Sequence, residues 1–136
     1  MGTWSFEPFG NDTAGDWAFG LDKAKDLSYI EAALNAILEQ DKDDELESTD
    51  AEEAVAACEV LAKLLGKGTQ SDGYTQGVDT WVASVKIKPD AGMLKKAQKA
   101  LKRVTDKNSE LRDLWEEEGA DNWNETIKLL RSALGG

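Results

Sequence analysis

The chain has 136 residues, 40% hydrophobic and 32% charged, and its 16 basic and 27 acidic side chains give a formal net charge of −11. That balance suits one soluble domain with a single core over residues 1–136. Its sign opposes nucleic acid, whose non-specific affinity comes from phosphate neutralisation. Histidine is absent and Cys58 is the single cysteine, which excludes Ser/His/Asp and Cys/His catalysis, His-ligated zinc and internal disulfides.

No stretch approaches the ~20 apolar residues of a membrane span, and the N-terminus lacks the basic-then-apolar layout of a secretory leader. The expectation is a cytoplasmic protein that needs no membrane, no metal and no cofactor.

The opening MGTWSFEPFGNDTAGDW concentrates aromatic rings, glycines and carboxylates. Asn11 or Asp12 can cap a helix, Asp16 follows near its positive end, and Ala14, Trp17, Ala18 and Leu21 form its apolar stripe. Trp4, Phe9, Asn11, Asp12, Asp16 and Trp17 are therefore expected to form a clamp that defines the fold, with Trp4 and Phe9 packed across that helix. The competing reading makes Asp12 and Asp16 a paired-carboxylate site beside Trp4 and Trp17, in a small-molecule-binding protein or a carboxylate-based enzyme with an N-terminal pocket. Carboxylates one turn apart on a single helix rarely straddle a scissile bond, which favours the clamp.

In residues 28–40, Ile30, Ala33, Leu34, Ile37 and Leu38 recur at helical spacing. Residues 39–53 then hold nine acids against Lys42, a local balance of −8. Asp41, Asp43, Glu45, Glu47 and Glu52 stand at positions 1, 3, 5, 7 and 12 of a calcium-loop template, yet Leu46 replaces its glycine and Ser48 its apolar anchor. A solvated acidic turn is the better account, and Asp41, Asp43, Asp44, Glu45 and Glu47 become the candidate partner surface.

Thr49 with Glu52 predicts a capping box that opens the next helix, whose stripe is Ala54, Cys58, Leu61 and Leu65 and whose exit is Gly66. Cys58 on that stripe is a small core hydrophobe rather than a reactive thiol. The glycine-rich run GKGTQSDGYTQG at 66–77 reads as a loop, and as a phosphate cradle it lacks both the P-loop spacing and a preceding strand. Residues 78–88 fit a helix through Val78, Trp81, Val82 and Val85, or a short strand through Trp81, Ala83, Val85 and Ile87. Pro89 stops either.

Asp90 is expected to cap a helix with the stripe Leu94, Ala97, Leu101 and Val104, part of a region, 86–107, that holds eight bases against two acids. Those bases are read as a solvated face that answers the acidic turn, within the same molecule or in a dimer. A short helix follows Ser109 with Leu111, Leu114 and Trp115 inward, and Asp121 is expected to cap a last one carrying Trp123, Ile127, Leu130 and Leu134. The expected fold is all-α, a single-domain bundle or stacked array of six or seven short helices.

Gly2-Thr3-Trp4, Phe9, Asn11-Asp12, Ala14 and Asp16-Trp17, together with residues 54–66, Ser109-Glu110-Leu111 and Leu114-Trp115, resemble a bacterial family catalogued as domain of unknown function 4259. The chain departs from that pattern at Ser5-Phe6-Glu7-Pro8, where more glycine is expected. The resemblance implies a small helical bacterial protein and brings no catalytic residues with it. From the residues themselves, the function expected is a non-catalytic protein-binding domain of inhibitor or immunity type, whose acidic segment meets a basic protein.

Overall fold

A computed structural model describes residues 5–135, so Trp4 of the expected clamp lies outside the described residues. The helix α3 (Ser48–Leu64) carries the run AVAACEVLA at 54–62, in which Glu59 is the only charged residue. A helix apolar around its whole circumference has to be surrounded, and α3 contacts all six other helices of the described chain. Every residue from Ala54 to Ala62 is buried. The single stripe expected from sequence understates this, because alanine adds little to an amphipathic pattern yet lets neighbouring helices close in.

Around α3 lie α1 (Asp12–Leu21), α2 (Ser28–Leu38), α4 (Gln76–Val85), α5 (Ala91–Thr105), α6 (Glu110–Glu118) and α7 (Asp121–Ala133). Each turns its apolar stripe inward: Ala14, Trp17 and Leu21 on α1, Ile30, Ala33, Leu34 and Ile37 on α2, Ala97, Ala100, Leu101 and Val104 on α5. The result is all-α, and no strand forms among the described residues, although Leu46 and Ser109 meet in an isolated parallel bridge.

Residues 76–85 are helical. Val78 and Trp81 point inward three residues apart, and the Trp81 indole N–H donates to the Ala24 carbonyl at 2.9 Å, tying α4 to the turn after α1. The helix ends with Lys86 in the left-handed region at φ 52°. Gly66, at φ 76°, closes α3 as expected. Its N–H donates to the Lys63 carbonyl at 2.9 Å while the Lys67 N–H reaches Ala62 at 2.8 Å, the paired bonds of a Schellman ending.

Three local expectations are corrected. The Thr49–Glu52 capping box does not form, because α3 starts at Ser48 with Glu47 at the cap position. The exposed N–H of Ser48 is instead taken by Glu110 Oε1 at 2.7 Å, a cap supplied from 62 positions away. Asp121 is the first residue of α7 rather than its cap, a place held by Ala120 without a side-chain bond. On α6, Leu111 is buried while Leu114 is 45% exposed, since a helix this short presents only one narrow face to α3. Trp115 turns instead toward Trp123 of α7, the rings stacking with centroids 6.4 Å apart.

Cys58 is fully buried, its thiol 3.6 Å from the Ala97 carbonyl of α5. Burial, and then the charge of neighbouring Glu59, push the thiol pKa up. The folded chain is expected to resist a thiol-specific reagent that labels it within minutes in denaturant. Labelling of the native protein at the denatured rate would contradict this packing.

Candidate functional site

The acidic segment between α2 and α3 is held by its backbone, which leaves its carboxylates outward. Leu46 is fully buried; its N–H donates to the Asn108 carbonyl at 2.7 Å and its carbonyl accepts from Glu110 N–H at 2.9 Å. Arg103 Nη2 donates to the Asp44 carbonyl at 2.7 Å, and Asn108 Nδ2 to the Lys42 carbonyl at 3.3 Å. Asn108 itself sits at φ 64°, a conformation asparagine tolerates better than most residues. Within the loop, Asp41 Oδ1 accepts from the Asp43 N–H at 2.9 Å. Asp41, Asp43, Asp44, Glu45 and Glu47 are all exposed, and among the described residues none of them forms an ion pair. No three acidic groups of the described residues converge as metal ligands would.

The basic helix face answers this segment at one point only. Arg103 reaches carbonyl oxygens there and no carboxylate. Lys96 turns the other way, to Glu31 of α2 at 2.7 Å and Asn35 at 3.1 Å, so it ties α5 to α2.

At the N-terminal end, Asn11 is the residue that caps α1, its Oδ1 accepting from the Ala14 N–H at 2.7 Å. Phe9 is buried, and its N–H donates to Gln70 Oε1 at 2.8 Å. Trp17 is only 6% exposed and stacks on Tyr29 with centroids 5.1 Å apart, while the Tyr29 hydroxyl donates to the Trp17 carbonyl at 2.5 Å. Buried in this way, Trp17 offers no ring face to a ligand. Asp12 and Asp16 take no part in that packing; both are exposed and line a groove of about 330 Å³ between α1 and the start of α4. Phe19, Asp22, Tyr74 and Val78 line it too.

A further cluster escaped the sequence reading altogether. Glu59, in the middle of α3, is 0% exposed. Its Oε2 accepts the N–H groups of Thr69 and Gln70 at 2.8 and 2.9 Å, and its Oε1 accepts the Thr69 hydroxyl at 2.7 Å. Lys63, one turn on, stands 3.8 Å from Glu59 and donates to Asp79 Oδ1 of α4 at 2.7 Å and to the Gln70 carbonyl. Asp79 Oδ2 in turn accepts the Thr75 hydroxyl at 2.9 Å. The glycine-rich loop is thus an anion cradle whose anion is built into the chain. The available signal was a lone Glu inside an apolar run, four residues before a Lys and ahead of a polar glycine-rich loop.

Burial raises the Glu59 pKa, and the donors from Thr69 and Gln70 together with Lys63 offset part of that rise. The Glu59 and Lys63 side chains are 0% and 7% exposed while Asp79, at 39%, reaches the surface, so the inner carboxylate is shut off from solvent and serves packing.

The family model described as Domain of unknown function (DUF4259) matches residues 2–126, a span that ends inside α7. No curated protein and no solved structure gives a significant match.

Glu59→Ala would leave two backbone N–H groups, a hydroxyl and Lys63 short of a partner, at a cost of about 3–5 kcal/mol in denaturant unfolding. Glu59→Gln keeps the shape and an acceptor for both N–H groups, and is expected to cost less than about 1.5 kcal/mol. Because the folded pKa is raised, the folded chain holds the Glu59 proton more tightly than the unfolded chain does, and this tighter hold adds stability at low pH. Its contribution is full at pH below the ordinary value of 4.5 and is lost as pH rises through the folded value. The wild type should therefore gain stability relative to Glu59→Gln as pH falls, and a difference that stays flat or moves the other way would contradict this account.

Proposed function

The chain belongs to the family described as Domain of unknown function (DUF4259), and from the surface set out above we propose that it is a non-catalytic binding domain, of inhibitor or immunity type, that meets a basic protein. The observation that carries this reading is the acidic loop, where Asp41, Asp43, Asp44, Glu45 and Glu47 are exposed on a backbone pinned to the turn before α6. Carboxylates on a fixed backbone lose less freedom when a partner docks than carboxylates on a loose tail would. A net charge of −11 adds steering toward a basic partner, which speeds encounter and makes it sensitive to salt. In this reading Phe9, Asn11 and Trp17 serve the fold as a clamp and the cytoplasm is the working compartment. The absence of histidine supports a role without catalysis.

The test is capture from bacterial lysate, at low and at about physiological salt, followed by titration of the purified retained protein. The expected result is a basic protein whose affinity falls roughly 10- to 100-fold when Asp41, Asp43 and Asp44 become Asn and Glu45 becomes Gln. The substitutions keep hydrogen-bond acceptors in place, so the loop should hold its shape. Equal retention by the substituted chain, or retention of no basic protein at low salt, would overturn the reading.

A further inference from the structure

The two most exposed large apolar side chains among the described residues are Phe19, at 73%, and Tyr74, at 64%. They come from different elements, α1 and the loop before α4, yet both line the same groove of about 330 Å³. Asp12, Asp16 and Asp22 line it as well, and no lysine or arginine does. Among the described residues, none of these three carboxylates forms an ion pair. Gly15 and Gly77 leave the groove open, with no neighbouring atom within 4 Å of where a side chain would begin.

Ring faces beside unspent carboxylates suit one functional group above others. A guanidinium is planar and weakly hydrated, stacks on aromatic faces and gives paired donors to a carboxylate. An ammonium is a compact, strongly hydrated charge and gains less from the rings. The walls are too exposed to enclose a free small molecule, which typically has most of its surface buried in its site. The cation is therefore best presented by a larger body whose remaining contacts lie outside the groove. A second copy of this chain would bring a further net charge of −11 and is disfavoured.

We infer that the groove between α1 and α4 docks an arginine side chain of a basic protein partner. The inference rests on the proposed function and names an anchor point for it. Phe19 and Tyr74 supply stacking faces, and Asp12, Asp16 and Asp22 supply the charge. The acidic loop at 41–47 would steer the same partner without needing to touch this arginine.

The test is NMR titration of the full chain, at low salt, with the peptide acetyl-Gly-Arg-Gly-Arg-Gly-amide and with versions carrying citrulline or lysine for arginine. The arginine peptide is expected to move the amide signals of residues 12–22 and 74–78, with weaker binding by the lysine form and none by citrulline. Phe19→Ala with Tyr74→Ala should weaken the arginine peptide about 5-fold or more, in line with two exposed cation–π contacts. Asp16→Asn, on an exposed side chain, should weaken it about 2-fold or more and needs no repacking. Shifts confined to residues 41–47 would overturn the groove while leaving the acidic-loop reading in place. Absence of any shift at low salt would remove the charge-driven recognition on which both rest. Equal binding of the lysine or citrulline peptide, or unchanged affinity in the aromatic double variant, would also overturn the arginine assignment.

Discussion

Glu59 sits on the central helix without access to water, and a carboxylate in that position is tolerable only if the protein supplies the hydrogen bonds that water would have made. The segment after α3 takes its course from that need. Gly66 reverses the chain in the left-handed region, which brings Thr69 and Gln70 back over the helix they have just left. Their N–H groups and the Thr69 hydroxyl then meet the carboxylate, and Lys63 closes the far side. A glycine-rich stretch that composition marks as pliable is in this way given one path.

Much of the rest is hung on that path. Gln70, placed by Glu59, accepts the Phe9 N–H and so fixes where the N-terminal segment meets the bundle. Its side-chain amide donates to Asp72, whose other oxygen accepts the Tyr74 N–H. Thr75 and Asp79 carry the same network into the first turn of α4. One wall of the surface groove, at Tyr74 and Val78, is therefore positioned by a carboxylate buried inside the molecule. The buried carboxylate and the exposed groove are two ends of one chain of hydrogen bonds, the inner end setting the geometry and the outer end facing solvent.

The helical frame was legible because apolar spacing and short polar caps are local signals. Asp90, whose Oδ1 accepts the Met93 N–H at 2.8 Å, and the stripes of α2 and α5 show this. What was hidden depends on neighbours distant in sequence. Thr49 and Glu52 have capping-box spacing, but α3 starts one residue earlier, at Ser48, whose N–H is met by Glu110 from 62 positions away. Residues 78–88 carry both the helical and the strand period, and only the contacts of Val78 and Trp81 decide between them. Burial on all sides of α3 follows from having six neighbours, a property of topology and not of any stripe. Asp12 and Asp16 were grouped with Trp17 by spacing, yet one helical surface can hold a ring against the core while its carboxylates face a groove. Glu59 stayed invisible because a lone charge on a helix ordinarily marks solvent.

The bond from Leu46 to Asn108 has a temporal side. The acidic segment comes early in the chain, and its backbone is fixed by later residues, as where Ser48 N–H donates to the Glu110 side chain 62 positions on. Closing so long a span carries an entropic cost that local helix contacts do not have to meet. During synthesis the segment emerges before the residues that pin it, so these bonds can form only after residues 103–110 have followed. A protein that recognised the shaped loop would distinguish a finished molecule from a growing one.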